Sequence, residues 1–359
     1  MKQKFSALTG LRAIAAIMIF VYHNRKFWRN TFPDYINRFL NEWHIGVTIF
    51  FVLSGFLIAY NYYEKTIELN RSAYWQYVRT RLARIYPVYL LIIVAKYCFT
   101  TAPGSLEIFL NISLLKGYFS SFVLSGIPQS WSLTVELTFY ALAPVLFWII
   151  HRYGIIQCFT ALLIFSLFCI GVGFSLDYLN LNTKGFFNDP LTITISTFQG
   201  RFFEFLLGVL LALHLKEIKN FKLFRIKHAT LIGSTGIVLC IIAMIPLQKE
   251  IWTHGFENPF GLAINHLLLP VFISILLLGL ATEKTWLSKI LQTKLMIQMG
   301  YASFIFYLIH INFVNSVLWN IYAFPDRNFM LLWVVAWLAY HAIEKPAYEY
   351  LKSKPSTTS

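Results

Sequence analysis

Two residues near the N-terminus have types and a spacing that could do chemistry, Arg12 and His23. They lie eleven residues apart in an apolar stretch, so on an α-helix they share a face and are separated by roughly 16 Å along the axis. A histidine can act as a general base, and an arginine can bind an anionic group. A plainer interpretation is also open, in which Arg12 extends to the inner membrane surface and His23 is an unrelated interfacial histidine.

A carboxylate, Glu136, follows Trp131-Ser132-Leu133 at the start of another apolar stretch. Ionisable groups inside membrane helices are costly, and they usually face a bundle interior or a wet cavity. We predict that Glu136 is the partner of His23, since both would lie at the outer level of the membrane. A carboxylate in that position can orient an imidazole and raise its basicity, as in the general-base arrangements of acyl transfer.

An arginine pair and a pair of small residues are candidates for binding an acyl donor. Arg81 and Arg84 are three residues apart, hence neighbours on a helix, and could hold a phosphorylated donor. The excess of positive charge on the inner side of membrane proteins also explains them. Ser54 and Gly55 lie within the apolar run 49–58, where small residues permit close helix packing or, alternatively, the close approach of a thin ligand.

Three further polar residues in apolar stretches are candidate oxyanion or acceptor contacts: Arg201, Glu204 and His310. The spacing of Arg201 and Glu204 favours a local ion pair. His44, His254 and His266 are expected on the outer side, as interfacial or substrate-facing residues.

The composition places these residues in a membrane. Of 359 residues 57% are hydrophobic and 13% are charged, about half the charged share of a soluble domain. The net charge of +14 is spread between apolar runs and forms no single basic face, which argues against nucleic acid binding. The four cysteines lie in apolar runs without metal-ligand spacing, and we expect no metal.

Apolar runs predict an all-α integral membrane protein, a bundle of about ten transmembrane helices. The first is interpreted as an uncleaved span rather than a signal peptide. We expect spans near 8–24, 45–63, 82–100, 132–150, 154–175, 200–216, 229–247, 261–281, 301–322 and 329–350.

The distribution of Lys and Arg predicts that both termini are cytoplasmic, because roughly twice as many of these residues then face inward as outward. The same bias makes 105–125 an outer, interfacial segment rather than a span. We expect one transmembrane domain over 1–352 and a short disordered cytoplasmic tail over 353–359.

Seven sequence motifs, in order along nearly the whole chain, resemble the membrane-bound O-acyltransferases of acyltransferase family 3. The matching segments are Leu8-Thr9-Gly10-Leu11-Arg12-Ala13 with His23, Phe50-Phe51-Val52-Leu53-Ser54-Gly55-Phe56, Arg81-Leu82-Ala83-Arg84-Ile85-Tyr86-Pro87, Trp131-Ser132-Leu133 with Glu136, Gly200-Arg201-Phe202, Tyr307-Leu308-Ile309-His310 and Glu344-Lys345-Pro346.

The resemblance implies a ten-helix enzyme of the cell (inner) membrane with no permanently bound cofactor. Such an enzyme takes an acyl group, commonly acetyl, from acyl-CoA and delivers it to a hydroxyl of an extracytoplasmic or lipid-linked glycan, such as lipopolysaccharide O-antigen or exopolysaccharide. Its partners are then acyl-CoA, the glycan and the bilayer, with no nucleic acid, and a homo-oligomer is left open. No soluble esterase-like segment follows the last predicted span, which favours direct transfer within the bundle.

The residues and the resemblance together give a mechanistic hypothesis. His23, held by Glu136, would take the proton of the acceptor hydroxyl, and Arg201 could stabilise the oxyanion. Arg12, Arg81, Arg84, Ser54 and Gly55 would bind the donor. A covalent acyl-histidine is the competing route. The alternative class is a proton-coupled transporter or channel that uses the same intramembrane residues.

Overall fold

The computed structural model describes residues 5–28, 30–67, 71–99, 103–180, 184–216, 226–250, 253–311 and 325–353. Within these ranges the chain forms helices and connecting turns and no strand, apart from one isolated bridge between Phe119 and Phe186. The all-α class predicted from the sequence is therefore confirmed. Most of the predicted disordered tail, residues 354–359, lies outside the described residues.

Sixteen α-helices are described, numbered here in chain order. They are α1 (Ser6–Asn24), α2 (Asp34–Asn41), α3 (Gly46–Thr66), α4 (Arg71–Phe99), α5 (Ser105–Ile112), α6 (Trp131–Tyr153), α7 (Ile155–Tyr178), α8 (Pro190–Ser196), α9 (Phe198–Leu215), α10 (Ala229–Met244), α11 (Pro259–Ala263), α12 (Leu269–Thr282), α13 (Trp286–Leu291), α14 (Lys294–Ile309), α15 (Pro325–Ala339) and α16 (Lys345–Ser353). Two π-helical turns, Ile264–Leu268 and Tyr340–Glu344, join α11 to α12 and α15 to α16.

Eight helical stretches in the described part of the chain are long and apolar enough to cross a membrane. Each overlaps one of the first eight predicted spans, so the chain is a multi-pass membrane protein. The stretches are Ser6–Trp28, Asp34–Thr66, Arg71–Phe99, Pro128–Tyr153, Ile155–Tyr178, Pro190–Leu215, Ala229–Leu247 and Pro259–Thr282.

The last two predicted spans differ from these eight. The ninth begins in α14, which has 16 residues, and continues into residues 312–324, which lie outside the described ranges. The tenth falls on α15, the following π-turn and α16. The count of ten and the cytoplasmic termini remain predictions. Residues 105–125 contain the eight-residue α5 and turns. A helix of eight residues rises only about 12 Å, so α5 is too short to span the hydrocarbon.

The chain divides into two compact units, and the boundaries fall inside α3, after Leu57, and inside α9, after Phe202. The first unit contains α1, α2, the beginning of α3, most of α9, and α10 to α14 with nearly all of α15. The second contains the rest of α3, α4 to α8, the beginning of α9, and α16. The expectation of a single domain over 1–352 remains a prediction.

Glycines set the close packing of the helices that carry the candidate residues in the first unit. A Cβ at Gly300 of α14 would overlap the carbonyl oxygen of Thr9, and His23 lies beside His310 further along both helices. Helices α1 and α14 therefore run in the same direction. On α3, a Cβ at Gly55 would overlap the carbonyl oxygen of Phe205, so α9 backbone fills the space beside this glycine.

Candidate functional site

Helix α1 carries both Arg12 and His23, as the sequence predicted. Arg12 is partly exposed, and its Cζ lies 6.0 Å from the ring centroid of Phe50. His23 occupies the last turn of α1, where its side chain is exposed. An exposed histidine is accessible to a reactant, which is the first requirement for a general base.

Two aromatic rings with polar atoms, those of Tyr22 and His310, contact the ring of His23 in the first unit. The ring centroids of His23 and His310 are 5.2 Å apart, and those of His23 and Tyr22 are 4.5 Å apart. In contrast to His23, His310 is buried, with 1% of its surface exposed. The sequence named both histidines but gave no reason to pair them, since the 286 residues between them carry no periodic signal linking α1 to α14.

A second cluster adjoins the first through Tyr22. The hydroxyl of Tyr22 is hydrogen-bonded to Nε2 of His254 at 3.0 Å, and the rings of His44 and His254 lie 5.5 Å apart. His44 donates from Nε2 to the carboxylate of Glu42 at 3.0 Å. The sequence analysis expected His44 and His254 on one side of the membrane, and the structure brings them together.

Glu42 is the residue of this cluster that sequence reasoning missed. It is fully buried and also accepts hydrogen bonds from Gln248 Nε2 at 2.6 Å and from the backbone N–H of Gly255 at 2.8 Å. These bonds join Gln248 and Gly255 to the turn that precedes α3. A buried carboxylate of this kind needs several hydrogen-bond donors. The sequence feature that could have identified it is a glutamate placed between two apolar stretches.

Burial also controls the protonation of His254, which lies between two spans. Burial, with smaller contributions from the neighbouring His44 and Arg25, lowers the pKa of His254 to about 3. The imidazole is therefore neutral at physiological pH, and it can act as a hydrogen-bond partner of Tyr22 without carrying charge.

In the second unit, the carboxylate of Glu136 is held by an aromatic hydroxyl. Tyr140, one helical turn further along α6, is buried and donates its hydroxyl hydrogen to Glu136. The i, i+4 spacing of the two residues was a signal that could have identified Tyr140. Because Glu136 lies in the second unit and His23 in the first, the predicted pairing of these residues remains a prediction.

Arg81 and Arg84 are adjacent on α4 but have different surroundings. Arg81 is 8% exposed, donates from Nη2 to the hydroxyl of Tyr62 at 3.0 Å, and places its Cζ 4.9 Å from that ring. The Arg84 side chain is 30% exposed, and its Nε lies 3.7 Å from Oε1 of Glu344. Arg84 is thus the more accessible cation of the pair.

The remaining candidates occupy buried positions on α3 and α9. Arg201 and Glu204 are 4% and 0% exposed; they fall on opposite sides of the unit boundary, so their predicted ion pair remains a prediction. The carbonyl of Phe205 beside Gly55 supports the packing interpretation of that glycine, while Ser54 is partly exposed.

The helices and these clusters define a polytopic membrane protein that gathers ionisable side chains within its helical units. This chain belongs to acyltransferase family 3, since the family model described as an acyltransferase domain matches residues 5–342.

Two kinds of relative from Staphylococcus aureus match most of the chain. O-acetyltransferase OatA is 27% identical over 341 residues, which cover 86% of this chain and 51% of that protein. The putative O-acetyltransferase SACOL0978 of strain COL is 27% identical over 342 residues, with the same coverage. The chain spans about half the length of these curated relatives. No solved structure matches it.

Proposed function

We propose that this protein is an O-acetyltransferase of the cell (inner) membrane. It moves an acetyl group from acetyl-CoA, on the cytoplasmic side, to a hydroxyl of an extracytoplasmic glycan such as lipopolysaccharide O-antigen or exopolysaccharide. Family membership and the O-acetyltransferase relatives support the reaction class. The observation that carries the proposal is an exposed histidine, His23, at the end of α1 in a chain whose other clustered ionisable groups are largely buried.

The proposed reaction uses His23 as the general base. As the acceptor oxygen forms its bond to the thioester carbonyl carbon, His23 takes the hydroxyl proton, and the carbon–sulfur bond breaks when the tetrahedral intermediate collapses. The proton then passes from His23 to the departing thiolate, which leaves coenzyme A as the free thiol. Glu136 is the proposed orienting carboxylate, and Arg201 is the proposed donor to the oxyanion.

The proposed donor site uses the cations of α1 and α4. Arg84 is accessible and only loosely paired with Glu344, so a phosphate can replace the carboxylate. Arg81 joins α4 to α3 through Tyr62. Since Arg12 and His23 lie roughly 16 Å apart along α1, the pantetheine arm can carry the acetyl group toward His23 while the phosphates stay near Arg12.

The test is acetyl transfer by purified protein supplied with radiolabelled acetyl-CoA and a glycan acceptor. We expect label in the glycan, and none with His23→Ala present at the same level in the membrane. Comparison of surface-polysaccharide acetylation between a deletion strain and its complemented strain identifies the acceptor. Purified wild-type protein that neither transfers nor hydrolyses acetyl-CoA would overturn the proposal and favour the transporter class. Stable label on the protein without acceptor would replace direct attack by an acyl-histidine route.

A further inference from the structure

The hydrogen bond of one ring nitrogen determines the tautomer of neutral His310. Its Nδ1 lies 2.7 Å from the carbonyl oxygen of Tyr307. A carbonyl oxygen can only accept, so Nδ1 carries the hydrogen, and in a neutral imidazole the other nitrogen, Nε2, is then a lone-pair acceptor. A protonated ring would instead bury an unpaired N–H on a charged group, which is far more costly.

Nε2 of His310 is buried and has no hydrogen-bond partner among the described residues. Buried polar atoms are almost always paired, and an exception calls for an explanation such as a catalytic role. The ring is also held in place. Phe306 stacks parallel to it at 6.2 Å, Trp333 stacks on Phe306 at 4.0 Å, and the backbone N–H of His310 donates to Phe306 at 3.1 Å.

The side chain best placed to use this acceptor is His23. The ring planes are inclined at 47° and the centroids are 5.2 Å apart. Since each imidazole nitrogen lies about 1.1 Å from its ring centroid, a rotation of the His23 ring can bring one nitrogen of each ring to about 3 Å, a hydrogen-bond distance. Tyr22, the other polar ring beside His23, already has its hydroxyl bonded to His254.

We propose that His310 is a positioning residue for His23: its Nε2 accepts the single N–H of neutral His23, which leaves the other His23 nitrogen unprotonated and able to act as the base. This inference rests on the proposed function. It assigns the N–H of His23 to His310, so the proposed contribution of Glu136 becomes the electrostatic stabilisation of the imidazolium that forms during transfer.

Two substitutions separate this function from a structural one. His310→Asn keeps an amide N–H near the position of Nδ1, for the bond to Tyr307, but loses the Nε2 acceptor. His310→Gln places its carbonyl oxygen near Nε2 and loses the bond to Tyr307. We expect kcat to fall on the order of 10²–10³-fold in the Asn variant, since a wrongly oriented base is ineffective, and about tenfold or less in the Gln variant. A structural role predicts the reverse order, and either that order or equal losses would overturn the proposal.

A second measurement does not depend on acetyl transfer. Diethyl pyrocarbonate acylates the unprotonated nitrogen of an exposed histidine, and mass spectrometry gives the rate at His23. We expect this rate to fall about fivefold in His310→Asn and to stay near wild type in His310→Gln, because an acceptor on one nitrogen activates the other. Unchanged rates in both variants would refute the His310 proposal even in an active enzyme. The expected rates in a protein that transfers no acetyl group would overturn the proposed function alone.

Discussion

The His23–His310 pair of the first unit differs from the ionisable side chains of α4 and α6 in the second. His23, the proposed base, is exposed, and the buried His310 keeps one nitrogen without a partner among the described residues. In the second, Arg81 donates to Tyr62, and Glu136 accepts from Tyr140. The histidine pair thus contains an available lone pair, whereas Arg81 and Glu136 are already hydrogen-bonded.

The reason lies in what each side chain can do with its charge. An imidazole can give up its proton and remain buried as a neutral group, whereas a guanidinium keeps its charge and must be paired wherever it lies. A base has to be uncommitted to accept a proton, while a phosphate site needs only a cation with a weak partner. This difference supports the proposed roles, proton transfer by His23 and anion binding by Arg84.

The largest expected effect tests the proposed role of His23 as the base. Replacement of His23 by alanine removes the proposed base, and we expect kcat to fall on the order of 10³-fold, within the range of general-base catalysis. Acetyl transfer from labelled acetyl-CoA, normalised to protein in the membrane, measures it. The control is His151→Ala, which removes another exposed histidine in the last turn of α6 and should leave kcat within about twofold. Comparable losses in both variants would contradict the assignment.

A smaller effect is expected for the two arginines of α4, and the matched variants Arg84→Gln and Arg81→Gln test which of them binds the donor. Arg84 is accessible and weakly paired, so its loss should raise KM for acetyl-CoA about tenfold with kcat nearly unchanged. Arg81 is buried against Tyr62, so its loss should lower Tm because the tyrosine hydroxyl loses its donor.

Steady-state kinetics and thermal unfolding of both variants measure this difference. If Arg81→Gln raised KM while Arg84→Gln left it unchanged, the buried arginine would be the donor contact and the comparison would be wrong. Asp189→Ala, which removes the N-cap of α8, is a control for a local loss of stability without any change in KM.

The sequence was sufficient for the fold class and for eight of the spans, because both follow from apolar runs of sufficient length. It also placed Arg12 and His23 on one helix, since helical periodicity is local. It could not identify the neighbours of His23, because contact between α1 and α14 depends on Gly300 and Thr9 meeting in three dimensions. Likewise nothing in the spacing distinguished Arg81 from Arg84, whose difference comes from Tyr62 and Glu344 on other helices.

The smallest expected effect concerns the neutral histidine beside Tyr22. The pKa of His254 is lowered by burial to about 3, from an ordinary value near 6.5, so between these values the unfolded chain binds a proton that the folded chain does not. Stability therefore rises with pH across this window and is lost as the pH falls below about 6.5, by at most about 1.4 kcal/mol per pH unit for this group. His254→Gln can keep a hydrogen bond to Tyr22 without titrating. We expect its Tm to fall less than that of the wild type when the pH of the detergent-solubilised protein is lowered from 7 to 5. Parallel Tm curves for the two proteins would mean that His254 does not remain neutral, and the cluster around Tyr22 would then contain a protonated histidine.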